Sequence, residues 1–195
     1  MGGNRKRLYI ALYPSRVVNN EERREVVQVL FKQAKLSSSY RFRWGFAIGP
    51  KNERGAEIPG MRYRVKNHPI HNWVHEEIPL AHVRSTNNLL ARIVIAKIQD
   101  ETRLIGIIRN TPVIHNDHNW SCRTWAARTL SRIAQDGWAS GTAELDWEKI
   151  ETVAREHVAT KIEFHSKLSL HCNYREVNRM RYCHNLSPAE DAKAG

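Results

Sequence analysis

Apolar residues alternate, loosely or strictly, in three stretches and run nearly unbroken in a fourth, and each of these predicts a β-strand. The first runs from Arg7 to Tyr13 and is stopped by Pro14. In Arg41 to Ile48, Trp44, Phe46 and Ile48 point one way, and Arg43, Gly45 and Ala47 the other. Met61, Tyr63 and Val65 form the apolar face of a third strand, with Arg62, Arg64 and Lys66 opposite. Leu89 to Ile98 is nearly continuous in its apolar residues, the mark of a buried strand. Between the strands the period lengthens to that of a helix. Asn20 is placed to cap one with Val26, Val29, Leu30, Phe31 and Ala34 on its face, and Asp100 to cap another through Leu104, Ile107 and Ile108. A third is predicted from Trp120 to Gln135, ended by Gly137, and a fourth opens at Asp146 with Trp147, Ile150, Ala154 and Val158 on one side. The stretch His68 to Glu77 reads as a loop, because Pro69 argues against a helix there. Beyond about residue 165 no period is sustained.

These elements add up to an α+β fold, a small antiparallel sheet packed against helices. A single domain over residues 1–165 is expected, with a helical insertion near 20–39 and a loosely ordered tail over 166–195. A chain of 195 residues with 41% hydrophobic content is long enough to bury a sizeable core. No apolar run approaches the roughly 18 residues of a membrane span, and Leu8 to Leu12 is too short for a secretory signal. Three cysteines make no disulfide framework, so an intracellular, cytoplasmic protein is expected. The net charge of +11 is unevenly placed: residues 1–66 hold 15 Lys and Arg against 5 Asp and Glu, while residues 67–195 hold 16 against 15. Such a basic first third suits anionic partners, nucleic acid among them, although no nucleic-acid-binding motif accompanies it.

The chemistry that stands out is at Asp117-His-Asn-Trp-Ser-Cys-Arg-Thr-Trp125. With Asp117 or Asn119 as the cap, Cys122 falls in the first helical turn, where unpaired amides and the helix dipole favour a thiolate. Cys122 also shares a stripe with Trp125, Ala126, Thr129 and Ile133, the pattern of a residue that is simply buried. His68, His71 and His75 beside Glu76 and Glu77 match no zinc signature, and the pairs His171-Cys172 and Cys183-His184 are spaced too widely for a zinc knuckle. Neither a metal nor a cofactor is expected.

Tyr40 to Lys51, Met61 to Asn67, Leu89 to Lys97 and Asn119 to Trp125 together resemble a family of small uncharacterised fungal proteins, over roughly residues 7 to 164. Through the same motifs the chain is distantly similar to circularly permuted papain-like domains, the NlpC-type peptidases and the lecithin:retinol acyltransferase-like enzymes. That resemblance implies a permuted papain-like fold with the cysteine at the N-terminus of a central helix. It puts Cys122 at the nucleophile, Arg43 at the base and Arg64 at the orienting residue, with Asn119, Trp120 and Trp125 lining the site beside Arg43 and Arg64. Arginine stays protonated, so it cannot take a proton from a thiol. The resemblance therefore implies a degenerate domain that binds a small acidic ligand or protein in the former cleft. The alternatives are an active thiol hydrolase or acyltransferase that recruits His115 or His118, with His68 or His71 within reach of the same cleft, and a basic nucleic-acid binder.

Overall fold

The structure, a computed structural model, describes residues 5–15, 42–55, 57–84 and 89–160. Among the described residues, six strands and three helices make it an α+β protein. The strands are β1 (Arg7–Tyr13), β2 (Arg43–Gly49), β3 (Gly60–His68), β4 (Asn72–Leu80), β5 (Ala91–Ile98) and β6 (Ser140–Ala143). They form one antiparallel sheet in the order β4-β3-β2-β1-β5-β6. Helices α1 (Glu101–Arg109), α2 (Cys122–Asp136) and α3 (residues 147–160) share a core with one face of that sheet.

The alternation in the strands explains which face that is. Leu8, Ile10 and Leu12 of β1, Trp44, Phe46 and Ile48 of β2, and Tyr63 and Val65 of β3 are all buried against Leu104, Ile108, Trp125, Ala126, Leu130 and Ile133. On the opposite face the same strands carry Tyr9, Ala11, Tyr13, Gly45 and Ala47, and a smaller cluster of Tyr9, Ala47, Ile58, Leu80 and Val83 closes one end of it. The residues at the centre of this second face are small for a steric reason. Gly45 pairs with Arg64, and a Cβ on it would come within 2.8 Å of the Tyr63 carbonyl oxygen and 3.2 Å of the Arg64 Cβ.

Helix ends follow ordinary capping chemistry. Asp100 caps α1, its Oδ1 accepting the Arg103 N–H at 2.9 Å. Gly137 ends α2 at φ 71°, a left-handed conformation that glycine adopts without strain. The start of α2 differs from the sequence expectation. Its cap is Ser121, whose N–H is taken by the Thr124 Oγ1 at 2.8 Å, whereas Asp117 is spent on its own turn, accepting the Asn119 N–H.

Two strands are corrections to the sequence reading. His68 to Glu77 is mostly strand: a turn at Pro69-Ile70-His71, with Asn72 at φ 60°, folds β4 back onto β3. Pro79 is tolerated in β4 because that strand is an edge, where a missing N–H breaks no second ladder. The four-residue β6 is too short to show a period. The helix expected from Asn20, the C-terminal tail and the cysteine–histidine pairs near 172 and 183 lie outside the described residues.

Because Gly45 has backbone on top of it, Gly45→Ala is expected to destabilise the fold by about 1–3 kcal/mol and Gly45→Val by more. Urea unfolding followed by tryptophan fluorescence measures both; a Gly45→Ala midpoint equal to the wild type's contradicts the packing described.

Candidate functional site

Cys122 is the first residue of α2, and the packing of that helix decides what the thiol can do. Its Sγ accepts the Trp44 N–H at 3.4 Å, and the thiol faces the Phe42 carbonyl oxygen at 3.7 Å. The backbone on either side of Arg43 thus clasps the sulfur. Around it, Trp44 packs on Trp147 of α3 with ring centroids 4.9 Å apart, and Glu151 of α3 joins Arg123 and Arg155. The residue is left 8% exposed. Burial pushes the Cys122 thiol up from its ordinary range; the Trp44 and Arg123 amides, the charge of Arg43 and its own amide pull the other way and do not overcome it. At neutral pH this is a protonated thiol, which is the opposite of what a helix N-terminus alone suggests.

Of the two arginines, Arg43 lies between the two residues whose backbone holds the sulfur, its side chain alternating toward the far face opposite Tyr13, and Arg64 is not next to the sulfur at all. Arg43 is the exposed first residue of β2 and acts on the thiol through its charge. Arg64 alternates onto the face away from the helices, where it binds Glu76 at 2.5 Å. Burial works to raise Glu76, but the bond from Arg64 and the charges of Arg64 and Lys66 outweigh it and hold that carboxyl low. His115 and His118 are exposed in the loop before α2, and His68 stacks on His71 at the β3–β4 turn, their rings 4.8 Å apart. Among the described residues no imidazole bonds the Cys122 sulfur. Asn119 is exposed. Trp120 and Trp125 are core residues, the first edge-on to Trp73 at 5.0 Å and the second beside Phe46 and His75 at 5.6 and 5.8 Å.

Two further groups take shape only in the fold, although His75 and Glu77 of the first stood in the histidine-rich stretch already weighed as a metal site. His75, Glu77 and Trp73 of β4 alternate onto the helical face, opposite Val65, Tyr63 and Asn67. Glu77 is held low by its paired bonds from Arg109 at 2.7 and 2.8 Å, while burial lowers His75, and the Nε2 of His75 has no acceptor or donor. On the other face Glu53 receives both arms of Arg92, at 2.6 and 2.7 Å, and the Tyr9 hydroxyl at 2.7 Å. Recognising β4 as a strand would have exposed the first group, since period two puts His75 and Glu77 on one side. The second joins residues 83 apart in sequence and leaves no local trace. Among the described residues, no group of three or more His, Cys, Asp or Glu is arranged to hold a metal ion, and no helix is long and apolar enough to cross a membrane.

His75 carries a pH dependence with a definite sign. Its folded pKa lies below the ordinary 6.5, so the unfolded chain binds the proton more readily. Its contribution to stability is full above the unfolded pKa and is lost as pH falls below it. His75→Gln is expected to flatten the stability profile between about pH 7 and about pH 5, leaving the carboxylate-driven loss at lower pH. Urea midpoints across that range measure it, and profiles that run parallel in both proteins contradict the assignment.

Comparison with known proteins adds one family. No curated protein matches the chain, and no solved structure does. A family described only as one of unknown function, DUF6914, matches residues 5–171, the whole of the sheet and its helices. The chain belongs to that family.

Proposed function

We propose that this chain is a degenerate papain-like domain whose cysteine no longer turns over and which binds an anionic ligand or partner, with Arg43 as a principal contact. The observation that carries the reading is the seat of Cys122: a buried sulfur held by the backbone of Phe42 and Trp44, with no histidine bonded to it among the described residues. A thiol nucleophile needs a neighbouring group that takes its proton and later returns one to the leaving group. Arginine performs neither step at neutral pH. What Arg43 retains is its charge. It is exposed and has no carboxylate partner among the described residues, unlike Arg64, Arg92, Arg109 and Arg123, each of which has one. An exposed guanidinium whose fork meets no carboxylate among the described residues suits a carboxylate or phosphate ligand.

Two measurements test the two halves of this reading. Iodoacetamide at about pH 8, followed by peptide mass spectrometry, is expected to alkylate Cys122 in the folded protein more slowly than free cysteine, with the difference vanishing in denaturant. Rapid alkylation of Cys122 in the folded protein would favour the alternative, an active thiol hydrolase or acyltransferase with a recruited histidine. Calorimetry against a panel of acidic ligands is expected to find binding that Arg43→Ala weakens about tenfold. Binding unchanged by Arg43→Ala removes Arg43 from the site.

A further inference from the structure

The sheet face away from the helices carries two tyrosines on β1, each covered by an arginine from another strand. Arg92 of β5 lies over the Tyr9 ring with its Cζ 4.2 Å from the centroid. Arg62 of β3 lies over the Tyr13 ring at 4.8 Å, reaching across β2 above Ala11, Gly45 and Ala47. The small residues described earlier leave room above β2 for that reach.

The first pair shows what such a stacked guanidinium holds. Both arms of Arg92 meet the two oxygens of Glu53, and the Tyr9 hydroxyl donates to one of them. Stacking fixes the plane of the fork, so little freedom is left to lose when a planar carboxylate docks. Glu53 is held low chiefly by that bond from Arg92, and burial together with Glu53 pushes Tyr9 up to about 12.

At the second pair the same cation meets no acid among the described residues. Arg62 makes no ion pair among the described residues, and its Nε is buried without an acceptor. The carboxylate nearest in the strand order, Glu76, is taken by Arg64 and Lys66. Arg43 stands directly opposite Tyr13 in the β1–β2 register, a second cation on this face with no ion pair among the described residues. A buried N–H donor with no acceptor costs about 1–3 kcal/mol, which an incoming acceptor returns.

We infer that Arg62, stacked on Tyr13 and flanked by Arg43, is a seat for a carboxylate, which it grips as Arg92 grips Glu53. This rests on the anion-binding reading above and gives it a ligand class and a place on the sheet. The carboxylate belongs either to a small organic acid or to an acidic side chain of a peptide.

The full chain is titrated with succinate, with a short glutamate-rich peptide and with inorganic phosphate, while NMR follows the Arg62 Nε–H resonance. Either carboxylate source is expected to move that resonance, and the tighter of the two identifies the source. Phosphate is expected to bind more weakly than both. Arg62→Met, which keeps the stem over Tyr13, is expected to cost at least about tenfold in affinity, and Arg62→Lys, which keeps the charge without the fork, nearly as much. Carboxylate binding that depends on Arg43 but is the same in wild type and Arg62→Met overturns this seat and leaves the broader reading standing. Phosphate binding tighter than both carboxylates overturns the ligand class. If none of the three binds the wild type, both readings fall together.

Discussion

Along β1 and β2, side chains on one face of the sheet are large and those on the centre of the other are small, and the rest of the molecule depends on that inequality. Trp44, Phe46, Leu8, Ile10 and Leu12 fill the space beneath three helices. Ala11, Gly45 and Ala47 on the reverse leave a shallow floor where two strands approach closely. Period-two alternation makes the two surfaces inseparable: no side chain in these strands can serve one face without being lost to the other. The described helices lie on the apolar side, and the long cationic side chains Arg62 of β3 and Arg92 of β5 lie across the other.

The fate of Cys122 follows from the same division. A helix N-terminus offers amides and a favourable dipole, and both act on this thiol, as does the charge of Arg43. They are outweighed because the helix enters on the apolar face, directly over the start of β2, and α3 closes over it through Trp147 and Glu151. Removing a sulfur from water penalises its anion more than three amides and the charge of Arg43 favour it. The guanidinium groups stacked on Tyr9 and Tyr13 belong to the other face, whereas those beside the thiol, Arg123 and Arg155, are tied to Glu151.

Much of this was legible in the sequence. The stripe Cys122, Trp125, Ala126, Thr129 and Ile133 is wholly buried, Gly137 ends its helix, and Ile150, Ala154 and Val158 pack inward. The alternation Met61 to Lys66 already set Arg64 on the side away from Tyr63 and Val65, and that parity alone keeps it from the sulfur. What could not be read was long-range. The strand through His75 and Glu77 carries charge on both faces because it is an edge, where neither face is fully covered, so its pattern lacks a clean apolar side. The meeting of Tyr9, Glu53 and Arg92 needs the order of strands, which no local pattern contains. Ser121 displaced Asp117 and Asn119 as the cap because Thr124 lay three residues ahead to take its N–H.

The outer strands have a consequence for the molecule in company. A sheet ends in rows of backbone donors and acceptors that invite a strand from another molecule. Here β6 is only four residues long, and β4 withholds one donor at Pro79 while bearing Glu76 and Glu77 in adjacent positions. Two copies meeting along β4 would face a gap in the ladder and have to accommodate carboxylates already tied to Arg64, Lys66 and Arg109. The borders of the sheet are thereby guarded against self-templated fibre growth.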